Sequence, residues 1–299
     1  MPLQNLKRSA TDYARYWRWR WIKNGADASR HVWQPLPLDD IARGIVESLR
    51  EQGIVRISDV SDPELFAELR AQATGLLDKA WDPQRQRPYS TVADSKGDRA
   101  ALGEKENKEF LVTLTPKTFT YDSVFVRYAV QPRFMAIADA YLGLRSQLRA
   151  VYLWLNYATG SEAASTQLWH RDGDDFMNLK IFTYLTDVDE NHGPFAFIPG
   201  TQPFGYRRLA PKRSEYGRTD DVQMQALVDR KEWAVCTGVS GDTIFADTCG
   251  FHKGVKPTRG YRLMLMVHYA SRAAVSGKDI HFSESPAGAL SPAQIAAIE

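Results

Sequence analysis

From about Gln147 onward the chain stops reading as helix. Gln147 to Tyr157 and Asn178 to Thr186 alternate like strands, and Phe195–Ile198, Trp233–Cys236, Thr243–Ala246 and Arg262 to Tyr269 are further short apolar or alternating runs. Turn signals separate them: Asn191-His-Gly-Pro194, Pro199-Gly200, Ser240-Gly-Asp242 and Thr258-Arg-Gly260. Many short strands without helices between them restrict the fold to a sandwich or barrel.

The part before Gln147 reads differently. Asp39 or Asp40 can cap a helix with Ile41, Ile45 and Leu49 at helical spacing, stopped by Gly53. Ile54–Ile57 reads as a short strand, and Ser61-Asp-Pro-Glu64 as a capping box with proline in the first turn. Leu65, Leu69, Leu76 and Leu77 continue that helix's buried side. Pro132 opens another helix, with Phe134, Ile137, Ala138, Tyr141 and Leu142 on one side and Gly143 at its end. Between them, roughly Asp82 to Asn107 is polar and long for a plain connection, which predicts a mobile lid or a disordered loop.

Near the start, Tyr13, Tyr16, Trp17, Trp19 and Trp21 are interleaved with Arg15, Arg18 and Arg20. A helix whose aromatic side packs on the main body is preferred over a nucleic-acid or membrane-surface element, because no wider basic field supports the latter. Ser291 to Ile298 reads as a capped surface helix. The expected fold class is mainly β with flanking helices. One domain spans residues 1–299: mainly helical support over 1–145, a double-stranded β-helix core (jelly roll, cupin-like) over 146–272 and a tail over 273–299.

Composition serves mainly to exclude. With 38 Lys plus Arg against 36 Asp plus Glu, the formal charge of +2 is too balanced to make nucleic acid the principal partner. Cys236 and Cys249 are the only cysteines, so a disulfide-stapled secreted scaffold is not expected. There is no apolar run of a signal peptide, and no stretch approaches the roughly 20 apolar residues of a membrane span. The expected location is cytoplasmic.

One stretch carries chemistry. Thr166-Gln-Leu-Trp-His-Arg-Asp-Gly-Asp-Asp175 holds a His-x-Asp pair, His170 and Asp172. In an extended strand these two side chains share a face and can hold one metal ion from one side. His252, in Asp247-Thr-Cys-Gly-Phe-His-Lys-Gly254, is the candidate third ligand. Two imidazoles and one carboxylate form the facial triad of non-haem Fe(II) oxygenases, with three positions open. Arg262 opens an apolar strand ten residues after His252. Its guanidinium suits a carboxylate grip, and a salt bridge to an acidic residue on a neighbouring strand is the alternative.

Together these residues resemble the phytanoyl-CoA dioxygenase-like group of Fe(II)/2-oxoglutarate oxygenases. The most specific part is Tyr184-Leu-Thr-Asp-Val-Asp-Glu-Asn-His-Gly-Pro-Phe-Ala-Phe-Ile-Pro-Gly-Thr201, followed by Gly241-Asp-Thr-Ile-Phe245, and the resemblance covers about Asn156 to Tyr269. It implies His170, Asp172 and His252 as catalytic metal ligands and Arg262 on the 2-oxoglutarate C5 carboxylate. It also implies a polar co-substrate contact at Asn156 and an aromatic wall at Phe182. The implied reaction uses Fe(II), 2-oxoglutarate and O2 to hydroxylate an unactivated carbon of a small or medium organic molecule, releasing succinate and CO2. Asp172 argues against halogenation, since related halogenases put a small residue there.

One departure stands out. The group commonly has Ser or Thr two residues after the distal histidine, and this chain has Gly254. Arg259 competes with Arg262 for the gripping role. His192 and His268 are expected to be structural, and Asp174 and Asp175 to sit in a solvated turn. The insertion Phe204 to Lys231 carries Arg207, Arg208, Lys212, Arg213 and Arg218, which suggests closure over an anionic substrate. The competing readings are a catalytically inactive jelly-roll ligand-binding module and a cupin-type metal enzyme that does not use 2-oxoglutarate.

Overall fold

The computed structural model describes residues 10–89, 110–212, 217–283, 288 and 290–299. Most of the polar stretch expected as a lid or loop, and Arg213 of the insertion, lie outside the described residues.

Helices come first. Helix α1 (Ala10–Trp17) runs through one wide turn into α2 (Gly25–Trp33). The expected packing of the aromatic side is met by Trp19 and Tyr16, whose rings gather with Phe176 and Phe204, while Trp17 and Trp21 stay exposed. Helix α3 (Asp40–Gln52) starts where Asp39 accepts from the Ala42 N–H at 2.7 Å. It ends at Gly53, whose φ of +80° is left-handed and open to glycine at little cost. After β1 (Ile54–Ile57), α4 (Pro63–Ala80) is capped by Asp62, which accepts from the Leu65 N–H at 2.8 Å. The cap is therefore one residue later than the Ser61 expected from sequence. Pro63 holds the first helical position and biases its predecessor to extended backbone, which is what an N-cap needs. A small hairpin, β2 (Trp81–Asp82) and β3 (Arg87–Pro88), follows, then β4 (Leu111–Thr113), α5 (Val124–Ala129) and α6 (Pro132–Leu142).

The strands then form two antiparallel sheets. They are β5 (Gln147–Tyr157), β6 (Leu179–Tyr184), β7 (Phe195–Phe197), β8 (Ala234–Cys236), β9 (Thr243–Ala246), β10 (His252–Gly254) and β11 (Tyr261–Ala270). Within the insertion lies α7 (Asp221–Gln225), and α8 (Pro292–Ile298) follows the sheets with the expected Ser291 cap. The larger sheet has the order β1-β9-β6-β11-β5-β4, and the smaller has β10-β7-β8.

Alternation sorts the large sheet into two faces. Leu153, Leu155, Leu263, Leu265 and Val267 join a core with Leu49, Leu69, Phe125, Phe134 and Ile137 of the helices. Phe182, Tyr184, Met264 and Met266 turn the other way and share a second core with Phe195 and Phe197 of the small sheet. Burying one such side chain is worth about 1.5–3 kcal/mol. The helical half thus backs one face and frees the other for chemistry.

Candidate metal centre and its cavity

The two histidines are brought together by backbone pairing. His170 and His252 form a β-bridge in which each N–H donates to the other's carbonyl, at 3.0 and 2.9 Å. His170 stands in this isolated bridge rather than in the regular strand expected around it. Residues paired directly across a bridge project to the same face, and the two imidazoles lie with ring centroids 4.2 Å apart. Two residues on, the Asp172 N–H donates to the Thr248 carbonyl at 2.8 Å. Asp172 Oδ1 then lies 3.8 Å from His170 Nε2, and Oδ2 lies 3.6 Å from His252 Nε2. One ligand atom from each of the three residues falls within 4.8 Å of the others.

Their chemistry suits a divalent metal. His170 Nδ1 is 2.8 Å from the Leu168 carbonyl, and His252 Nδ1 is 3.1 Å from the Gly250 carbonyl. A carbonyl accepts only, so each Nδ1 carries the proton and each Nε2 keeps its lone pair for the centre. Burial pushes both histidine pKa values down, that of His170 well down with help from neighbouring His252, so both rings are neutral and free to act as ligands. Burial alone would raise the pKa of Asp172. The Lys180 ammonium, 2.6 Å away, outweighs it and holds the carboxyl well below its usual range.

Lys180 was not anticipated from sequence. Its Nζ donates to Asp172 Oδ2 at 2.6 Å and lies 3.6 Å from Asp174. Burial opposes its charge, but Asp172 and Asp174 keep it protonated. The available signal was a lysine inside the Asn178 to Thr186 strand run. Asp174 is thus an ion-pair member, and Asp175 accepts from Trp19 Nε1 at 2.6 Å and from the Ser271 N–H at 2.9 Å. Neither is a merely solvated turn residue.

A cavity of about 420 Å³ opens on the three ligands. Its floor is the chemical face of the large sheet, on which β11 pairs Arg262 with Asn156, Met264 with Trp154 and Tyr184, Met266 with Tyr152 and Phe182, and His268 with Ala150 and Lys180. Arg262 and His268 are six residues apart on β11, so the floor is about 20 Å long at about 3.3 Å per residue. Phe182, 3% exposed, stacks against Phe195 with centroids 4.7 Å apart, and Phe195 lies against the His252 ring.

At one end Arg262 is 3% exposed. It donates through Nη1 to the Gly193 carbonyl and through Nη2 to Asn156 Oδ1, the latter at 3.1 Å. Its Nε is buried without a hydrogen-bond partner, while the adjacent Tyr184 hydroxyl donates to the Cys236 carbonyl and accepts from the Phe195 N–H at 3.1 Å. Arg259 points elsewhere: it is largely exposed and bonded to Asp189 at 2.8 Å. A Cβ at Gly254 would meet Arg262 Nη2 at 3.5 Å, an ordinary contact, so the backbone there leaves room for a Cβ. His192 stays outside the cavity, beside Asp189.

Arg207 pairs with Glu232 and Arg208 with Asp12, and Arg218 alone among the insertion's described cations lines the cavity. Asp221, at the start of α7, accepts from Trp169 Nε1 at 2.8 Å and pairs with Lys253. Trp169 precedes His170 and Lys253 follows His252, so Asp221 clips together the two segments that carry the histidines.

The chain is similar to several known proteins. A 98-residue segment is 30% identical to the ectoine dioxygenases of Bordetella bronchiseptica and Bordetella parapertussis, covering 29% of this chain and 32% of theirs. The chain therefore matches about a third of the length of these curated relatives. Among solved structures, the epimerase SnoN in complex with Fe3+, alpha ketoglutarate and nogalamycin RO aligns with a TM-score of 0.52 at 19% identity, over 80% of this chain and 87% of that one. EctD from S. alaskensis with 2-oxoglutarate and 5-hydroxyectoine aligns with a TM-score of 0.51 at 20% identity, over 80% and 79%. These two likenesses establish the fold. The family model for phytanoyl-CoA dioxygenase (PhyH) matches residues 49–258, a span that runs from the end of α3 through every proposed ligand to the turn before β11. With most of its length and all three metal-ligand candidates inside that match, the chain belongs to the phytanoyl-CoA dioxygenase (PhyH) family.

Proposed function

We propose that this protein is an Fe(II)/2-oxoglutarate-dependent oxygenase that hydroxylates an unactivated carbon of a small or medium organic molecule, with release of succinate and CO2. The two sheets are read as a double-stranded β-helix, with the helical half as its support in one catalytic unit. Two free buried cysteines suit a reducing compartment, the cytoplasm. The observation that carries the proposal is the juxtaposition in one cavity of a three-ligand cluster with a buried arginine whose Nε has no partner.

His170 and His252 offer Nε2, and their Nδ1–H groups lock the ring orientation against two carbonyls. Asp172 supplies the charge, and Lys180 holds one of its oxygens so that the other faces the centre. When bound there, iron with 2-oxoglutarate and O2 supplies the oxidising power, and the protein supplies orientation and electrostatics. Arg262, steadied by Asn156 Oδ1, offers a guanidinium to the far carboxylate of the co-substrate. Phe182, Phe195, Met264 and Met266 line the floor and keep water from the reacting atoms. An anionic substrate matches the cationic side chains that reach the cavity.

The test is an anaerobic titration of metal-free protein with Fe(II) and 2-oxoglutarate, followed by the visible metal-to-ligand charge-transfer band. The band should need both components and should vanish in His170→Ala. Iron binding without the band would replace this reading by a metal enzyme that does not use 2-oxoglutarate. Absence of iron binding would leave a ligand-binding module.

A further inference from the structure

The cavity continues past the metal centre to an end opposite Arg262 that the oxygenase reading leaves unused. Here β5 breaks its alternation. His268 of β11 pairs with Ala150, but Tyr269 pairs with Leu148, so Arg149 is the extra residue of a β-bulge. Leu148 and Val151 stay in the helix-side core, whereas Arg149 and Ala150 both line the cavity. A bulge re-aims a side chain that regular alternation would turn away. Without it, Arg149 would point into the helices.

Arg149 is 6% exposed, and among the described residues no carboxylate lies within ion-pair distance of it. Its Nη1 donates to Gln147 Oε1 at 2.6 Å and its Nη2 to the Ser276 carbonyl, while Nε is buried with no partner. His268, 5% exposed on the adjoining strand, has a buried Nε2 that also lacks a partner. Native proteins pair nearly all such atoms, and here two belong to residues that line one end of one cavity. The acids nearby are engaged: Asp174 lies 3.6 Å from Lys180, and Asp279 accepts from the Tyr152 hydroxyl. Arg149 Nε–H therefore lacks an acceptor, and His268 Nε2 beside it lacks a partner.

We propose that Arg149 and His268 form a substrate subsite for a carboxylate, carried on an organic body that packs on the stacked Tyr152–Trp154 pair. Those two rings lie 5.5 Å apart and 14° from parallel, and both line the cavity. The subsite rests on the oxygenase reading for its place in a substrate chamber, and the insertion's arginines play no part in it. Arg149 supplies the charge and His268 a second hydrogen bond, so the pair selects acids over neutral analogues of the same shape.

The test uses the full chain loaded with Zn(II), which prevents turnover, and with saturating 2-oxoglutarate, which fills the Arg262 end. Calorimetry then compares phenylacetate and 4-phenylbutyrate with their primary amides. Each acid should bind about tenfold or more tighter than its amide. Arg149→Gln should abolish that preference by weakening the acid alone, Arg149→Lys should restore part of it, and His268→Gln should weaken the acid severalfold. Equal binding of acid and amide, no binding of either, or a preference that survives in Arg149→Gln would overturn the subsite. So would loss of the Fe(II)/2-oxoglutarate band in Arg149→Gln with the band kept in Arg262→Gln, since the co-substrate would then occupy this end. A wild-type band without acid preference sinks the subsite alone. Acid preference without a wild-type band sinks the oxygenase reading and leaves the subsite standing.

Discussion

The two faces of the six-stranded sheet are made from the same strands and do opposite work. On β11, Leu263, Leu265 and Val267 face the helices, and Arg262, Met264, Met266 and His268 face the cavity. The helix face is mostly hydrocarbon, interrupted by the hydrogen-bonded hydroxyls of Tyr128, Thr183 and Thr243, so its energy is spread over many small contacts. The cavity face concentrates its importance in a few polar atoms whose partners are single residues. A strand's period of two allows this division, since a change on one face need not disturb the other.

The sharpest way to break that comparison is to remove a ligand. His252→Ala should lower iron affinity by about 100-fold or more, beyond the usual cost of losing a ligand's supporting hydrogen bond, with circular dichroism unchanged. On the other face, Leu265→Ala should cost about 3 kcal/mol in denaturant unfolding and leave iron per folded molecule the same. A ligand variant that unfolds, or a core variant that loses iron while folded, would show that the faces are not independent.

Arg262 and Arg259 give the next comparison, three residues apart in one sequence. Arg262→Gln should weaken 2-oxoglutarate by about 100-fold, as expected for a buried charge partner, whereas Arg259→Gln should change it less than about twofold. The charge-transfer band read against co-substrate concentration distinguishes them. A comparable loss in both would mean that the exposed Asp189 pair matters to the site.

A smaller effect is expected from outside the cavity. Asp221 holds Trp169 and Lys253, the neighbours of the two histidines, on the side facing away from the centre. Asp221→Asn should reduce metal affinity by about tenfold without removing any ligand. Unchanged affinity would mean that the His170–His252 backbone pair needs no clip.

How much of this could be read from sequence follows the same division. The core strands were legible because alternation is local: Gln147–Tyr157 and Thr243–Ala246 appear as expected, and β11 is one residue longer at each end. His170 and Asp172 were legible as a spaced pair and His252 through the resemblance, and the three side chains do cluster. Lys180 was hidden because its role depends on which strand lies beside Asp172, and an isolated lysine in a strand carries no such mark. His268 and Arg149 were hidden for a related reason. That the buried Nε2 of His268 has no partner is not written in the sequence, and a bulge cannot be seen in one strand alone, since it is a mismatch between two. The cap at Asp62 instead of Ser61 is a one-residue slip that proline geometry resolves. Arg207 and Arg208 of the insertion carry no sequence mark of their partners Glu232 and Asp12, and Arg218 lines the cavity.

The seam between the two faces offers the mildest test. Asp247 is fully buried just past β9, where it accepts from the Tyr141 hydroxyl of α6 at 2.7 Å and from the Cys249 N–H at 3.0 Å. It thereby ties the helical layer to the turn that delivers His252. Burial raises its carboxyl from 3.8 to about 6, although both hydrogen bonds pull the other way. For an acid raised in the folded state, the native protein holds the proton more tightly than the unfolded chain. This contribution to stability is therefore complete below the unfolded pKa and is lost as pH rises through the folded one. Relative to Asp247→Asn, the wild-type protein should lose about 2 kcal/mol between about pH 4.5 and about pH 7, and little more above that. Urea unfolding of both proteins across that range reads the difference directly. Parallel stability curves would mean that Asp247 is ionised in the native protein, and that the seam carries a charge which the hydroxyl and the amide are enough to hold.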